Sequence, residues 1–107
     1  MIILKLIPMT TNKLFYTSGY QKDNIDLSNI EKAIHDIQYM DDEHGAFWVS
    51  VVVDDYENVI EANKSLTVWI QIEDESYDYQ APNWNEVQML YELLLNGQFD
   101  EIKEMVN

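Results

Sequence analysis

Between residues 46 and 72 the chain carries two runs in which aliphatic side chains fall on every second position, and that period most limits what it can fold into. Along Ala46 to Val53, Phe47, Val49, Val51 and Val53 share one face of a strand, and Trp48, Ser50 and Val52 share the other. From about Ser65 to Ile72, Leu66, Val68, Ile70 and Ile72 alternate with Thr67, Trp69 and Gln71. A helix would scatter these residues around its circumference, whereas a strand buries one set and leaves the other outside. Between the runs, Asp54-Asp55-Tyr56-Glu57 reads as an acidic turn and Asn58 to Ala62 as a short strand ending at an Asn63-Lys64 turn. Adjacent antiparallel strands are therefore expected. The aliphatic face is the expected core, and the face carrying Trp48, Ser50, Thr67, Trp69 and Gln71 is expected to be only partly covered.

The flanking segments add helices. Ile2 to Ile7 is a continuous apolar run suited to a first strand, and Lys13-Leu14-Phe15-Tyr16 suits a short second strand after a Thr10-Thr11-Asn12 turn. Ser28-Asn29-Ile30-Glu31 fits a capping box, and Ile30, Ala33, Ile34, Ile37 and Met40 then recur at helical spacing. Asp41 to Gly45 supplies the exit. After a second acidic loop, Glu73-Asp74-Glu75-Ser76, Tyr77 to Gln80 suits a short edge strand before Pro82. Asn83 with Glu86 repeats the capping logic for a helix presenting Val87, Leu90, Tyr91 and Leu94, and Asn96-Gly97 stops it. Phe99, Ile102, Met105 and Val106 predict a last helix. The expected fold is a single α+β domain over residues 1–107: an antiparallel sheet of about 4–6 strands with two to three helices packed mainly on one face.

An apolar fraction of 47% with 12% aromatic residues over 107 positions is enough for one real core. There is no cysteine, so disulfide frameworks, thiolate zinc sites and cysteine nucleophiles are excluded, as suits a reducing cytoplasm. The apolar opening lacks a basic flank, holds Lys5 in its middle and is stopped by Pro8, so it is not expected to be a signal peptide. No apolar run approaches the roughly 20 residues of a membrane helix. A soluble, cytoplasmic protein is expected.

Charge is unevenly placed. Residues 41–92 hold thirteen Asp and Glu against the single Lys64, and so contribute −12 of the total −14. Such a field repels nucleic acid and acidic membrane and favours a cationic partner, at a rate that falls as salt rises. The chain has six Lys and no Arg, too little for the basic patch that direct nucleic-acid binding uses.

Motifs for chemistry are lacking. His35 and His44 stand in no HExxH or His-Cys arrangement, and Asp41-Asp42-Glu43-His44 lacks the alternation and terminal Glu of a calcium loop. No metal and no cofactor is expected. Asp54-Asp55 and Glu73-Asp74-Glu75 invite a two-carboxylate hydrolase reading, but neighbouring loop acids have no reason for the raised pKa of an acid catalyst. The three glycines are isolated, which excludes GxSxG and phosphate loops. A non-enzymatic role is expected.

What remains is an aromatic and acidic set: Trp48, Trp69, Tyr77, Tyr79 and Trp84 among Asp54, Asp55, Glu57, Glu73, Asp74, Glu75 and Asp78. Its plainer reading is core aromatics and solvated acids. The sharper one is an interface in which Trp48, Trp69, Tyr77 and Tyr79 anchor a partner and the carboxylates steer its Lys and Arg.

In overall plan and over Gly45 to Ile102 the chain resembles the small bacterial immunity proteins that neutralise polymorphic or contact-dependent toxins. The stretches that carry the resemblance are Ala46-Phe47-Trp48-Val49, Leu66-Thr67-Val68-Trp69, the acidic loops, Trp84-Asn85-Glu86-Val87 and Leu94-Leu95-Asn96-Gly97-Gln98-Phe99. The resemblance is architectural and assigns no individual binding residue. It implies a cytoplasmic inhibitor bound to a cognate toxin, often a nuclease with a basic groove. Two further readings fit the charge: a nucleic-acid mimic that inhibits a DNA-binding protein, and a small carboxylate-dependent enzyme. Short edge strands leave monomer and homodimer equally open.

Overall fold

The computed structural model describes residues 10–107, and the strand expected over Ile2 to Ile7 lies outside them. Six strands, β1 (Thr10–Tyr16), β2 (Gln21–Asp23), β3 (Ala46–Val53), β4 (Tyr56–Asn63), β5 (Thr67–Ile72) and β6 (Glu75–Gln80), are joined by three helices, α1 (Leu27–Ile37), α2 (Trp84–Leu95) and α3 (Phe99–Val106). All strand pairs are antiparallel, in the order β2-β1-β3-β4-β5-β6. The fold is α+β, as the pattern of elements predicts. Among the described residues no helix is long and apolar enough to cross a membrane.

Hairpin chemistry sets the register of four strands. The β3–β4 and β5–β6 connections are two-residue turns, pairing Val53 with Tyr56 and Ile72 with Glu75. Their central residues, Asp54 and Asp55, then Glu73 and Asp74, all have positive φ, between 48° and 72°. A type I′ turn needs that backbone because its twist matches the right-handed twist of the flanking strands. The turn expected over four residues, Asp54 to Glu57, is thus shorter: Tyr56 and Glu57 already belong to β4, where hydrogen bonding to β3 continues to the turn itself.

Alternation then decides the faces. Leu14, Tyr16, Phe47, Val49, Val51, Ile60, Ala62, Val68, Ile70 and Ile72 point to one side and are buried there with the apolar stripes of the helices. Helix α1 lies against β3, α2 lies against β3 and β4, and α3 meets β6. Tyr91 of α2 is fully buried, its ring stacked 4.7 Å from Phe47 and its hydroxyl donating to the Phe47 carbonyl at 3.1 Å. Burying one large apolar side chain stabilises by about 1.5–3 kcal/mol, so this face dominates stability.

Local expectations are corrected in four places. Thr10, Thr11 and Asn12 do not form a turn; they extend β1, paired to Val53, Val52 and Val51. The cap of α1 is Asp26, not Ser28: its carboxylate accepts from the Ser28 and Asn29 amides, and the Asn29 side chain accepts from the Asp26 amide. A capping box can be built from Asp and Asn as well as from Ser and Glu, and the earlier cap wins because it brings partly buried Leu27 into the first turn. Helix α1 ends at Ile37, so Met40 packs against the core from the following segment. At α2, Asn83 is the N-cap as expected, but Glu86 does not reach back; its carboxylate accepts the Tyr79 hydroxyl. Gly97, at φ 70°, closes α2 with a Schellman pair, Gly97 N–H to Leu94 O and Gln98 N–H to Leu93 O.

Candidate functional site

With every helix of the described residues on one side, the other side of the sheet carries the residues that alternate with the core. Cross-strand register places Phe15 opposite Trp48, Trp48 opposite Glu61, Glu61 opposite Trp69 and Trp69 opposite Asp78, a row across five strands. The neighbouring row runs Asp23, Lys13, Ser50, Val59, Gln71, Ser76. Phe15 and Trp48 stack at 5.1 Å, and Trp69 remains 36% exposed. A shallow cleft of about 340 Å³ opens over Trp48, Trp69, Glu61, Glu57, Val59 and Phe15. Directly opposed residues approach to about 4.5–5.5 Å between Cβ atoms, and one strand separates Trp48 from Trp69, so the two indoles flank Glu61 about 10 Å apart in backbone terms.

The charge of this face is negative. Among the described residues Asp23, Glu57, Glu61 and Asp78 stand against Lys13 alone, and Lys13 is engaged, 3.3 Å from Asp23 and 5.6 Å above the Phe15 ring. Glu57 accepts the Ser50 hydroxyl at 2.8 Å. Glu61, partly buried between the tryptophans, has neither a hydrogen bond nor an ion pair from any described side chain.

Both acidic turns lie at one end of the sheet, next to Glu57. Asn58, 1% exposed, ties them together: its Oδ1 accepts the Glu73 amide at 3.0 Å, and its Nδ2 donates to the Val51 and Tyr56 carbonyls at 3.3 and 3.4 Å. A notch of about 310 Å³ between the turns is lined by Asp54, Tyr56, Glu73 and Phe99. Lys103 of α3 offsets part of this charge, 3.8 Å from Glu73 and 3.6 Å from Glu75. The Tyr77 hydroxyl, and after it Lys103, hold the Glu75 carboxyl below the usual carboxylate range.

The sequence-derived set therefore divides. Trp48, Trp69, Glu57 and Asp78 share the helix-free face, and Asp54, Asp55, Glu73 and Asp74 gather at its adjoining end, whereas Glu75, opposite buried Ile72, turns to the helix side toward Tyr77 and Lys103. Tyr77 and Tyr79 point the other way, partly buried against the core on the helix side, with hydroxyls given to Glu75 and Glu86. Trp84 packs there too. Asp41, Asp42 and Glu43 sit at the opposite end of the sheet, before β3, where the Asp41 carboxylate takes the His44 backbone N–H and ring. His35 is exposed against Tyr39. Among the described residues no three His, Cys, Asp or Glu side chains converge as metal ligands.

Phe15 and Glu61 were not singled out from the sequence. A two-residue turn at Asp54-Asp55 makes Glu61 the partner of Trp48 by counting outward, six residues on each side, so turn type was the signal for Glu61. Phe15 joins the row only because β1 pairs with β3. Comparison with protein-family models, curated proteins and solved structures finds no match.

Proposed function

We propose that this is a non-enzymatic binding protein of the cytoplasm that docks on a cationic surface of a protein partner, acting as an immunity-type inhibitor of a basic toxin. One observation carries the reading: an aromatic row on a helix-free sheet face, continuous through Glu57 with two acidic hairpin turns. Aromatic anchors supply contact area at low entropic cost, and carboxylates around them steer encounter and exclude acidic competitors. Occupying a basic groove blocks its substrate by occlusion and by charge. The turns support this in a second way. The second position of a type I′ turn favours Gly, yet here it is Asp55 in one turn and Asp74 in the other, so charge is placed at the tips where turn chemistry alone would favour glycine.

The test joins capture to kinetics. The full chain, immobilised, should retain from its source cells a basic protein that elutes with salt. Association should slow about tenfold or more on going from low to physiological salt. D54N/D55N/D74N, which keeps side-chain shape at left-handed positions, should slow association at low salt, and W69A should speed dissociation without loss of fold. If the captured protein is a toxic enzyme, wild type should block its activity and W69A should release it. An acidic partner, or association indifferent to both salt and the triple variant, overturns the proposal.

A further inference from the structure

Glu61 is the one carboxylate of the helix-free face that is both partly buried and unpaired while standing between two indoles. Its oxygens still reach water, but a partner that covers the cleft strips that water away and leaves the charge uncompensated unless it brings a cation. Among its described residues the chain brings no cation to Glu61, and Lys22, opposite buried Leu14, lies on the helix side. The chain contains no arginine, and four of its lysines are engaged elsewhere: Lys13 with Asp23, Lys32 with Asp36, Lys64 with Asp42 and the Met40 carbonyl, Lys103 with Glu73 and Glu75.

The same face already shows the chemistry in small. Lys13 sits over the Phe15 ring while paired to Asp23, an aromatic and a carboxylate sharing one cation. Further along the row of Phe15, Trp48, Glu61 and Trp69 repeat the arrangement with larger rings on both sides and no cation from any described residue. We propose that the cleft between Trp48 and Trp69 receives an arginine side chain of the partner, its guanidinium paired to Glu61 and stacked on the indoles.

Arginine fits better than lysine. Its planar group matches a carboxylate with two parallel N–H donors and lies flat on an indole, and it is less strongly hydrated than an ammonium. A second copy of this chain is a poor occupant, because the face is net negative and would meet the same charge. The inference rests on the proposed cationic partner but names the group recognised, and it can be tested without that partner.

The full chain is titrated at about 0.15 M salt with two nonapeptides identical except that one carries three arginines and the other three lysines. Indole N–H resonances report the site, with Trp84 on the helix side as internal control. The arginine peptide should bind about tenfold more tightly and shift Trp48 and Trp69 but not Trp84. E61Q, which keeps the shape, should erase the difference between the peptides, whereas D54N/D55N should weaken both alike. Equal binding of the two peptides, unmoved Trp48 and Trp69 resonances, or an arginine preference that survives E61Q overturns the inference. If these arms fail while a basic partner is still captured in a salt-dependent way, only the arginine site falls. If they succeed and no basic partner exists, the proposed function falls instead.

Discussion

Asn58 offers the sharpest test of how the acidic end is held. Replacing it by Ala removes three hydrogen bonds from a side chain that is 1% exposed: one to the Glu73 amide and two to the Val51 and Tyr56 carbonyls. A typical intramolecular hydrogen bond contributes about 1 kcal/mol net, and an orphaned buried group costs about 1–3 kcal/mol. The two Nδ2 bonds are long and count for less, so N58A should cost about 2–4 kcal/mol. For a small domain with a urea slope of about 1–3 kcal/mol per molar, the midpoint should fall by roughly 1–2 M at unchanged slope. Equilibrium urea unfolding followed by tryptophan fluorescence measures this, with N85A on the exposed surface of α2 as a control expected to be silent. A midpoint for N58A within error of wild type would refute the view that this one amide joins the two turns.

Three further outcomes are expected. Burial pushes the Tyr91 hydroxyl well above its ordinary value in the folded chain, so above about pH 10 the unfolded state gives up a proton that the native state keeps. Stability should hold below that pH and then fall by up to about 1.4 kcal/mol per pH unit for this group; Y91F should flatten that slope while costing about 1 kcal/mol at pH 7, and an identical slope in Y91F would contradict the argument. Gly97 closes α2 at φ 70°, so G97A should lower stability by about 1–2 kcal/mol even though open space surrounds the added methyl, and a neutral result in thermal unfolding would count against the backbone explanation. D54N/D55G should stabilise the β3–β4 turn by up to about 1 kcal/mol, because Asn-Gly relieves two left-handed residues, while slowing association with a cationic partner; a variant both less stable and unaltered in binding would contradict the account of this turn.

Much of the sheet could be read in advance because a strand's two faces are written in its own residues. The alternation of Phe47, Val49 and Val51 with Trp48, Ser50 and Val52 assigned the two faces correctly, and so did Val68, Ile70 and Ile72 against Thr67, Trp69 and Gln71, although Ser50 is itself buried. Local rules also placed Asn83 at the start of α2 and Gly97 at its end. They failed where two local solutions compete at similar energy. Asp26 and Ser28 can each cap a helix, and only the burial of the first turn chooses between them. Tyr77 and Tyr79 were grouped with the tryptophans by composition, but a strand's parity points them to the helix side, where their rings cover the core and their hydroxyls meet Glu75 and Glu86.

What lies in the residues alone is thus the hairpins, the parity of each strand and the acidity of the turns, since each depends on contacts a few positions apart. The insertion of β1 beside β3, the gathering of all three helices on one face, and the resulting row from Phe15 to Asp78 belong to the folded molecule. Those features join segments tens of residues apart, and no local preference encodes them. They follow from which of the alternative pairings buries the most apolar surface while stranding no buried polar side chain among the described residues, a property of many segments at once.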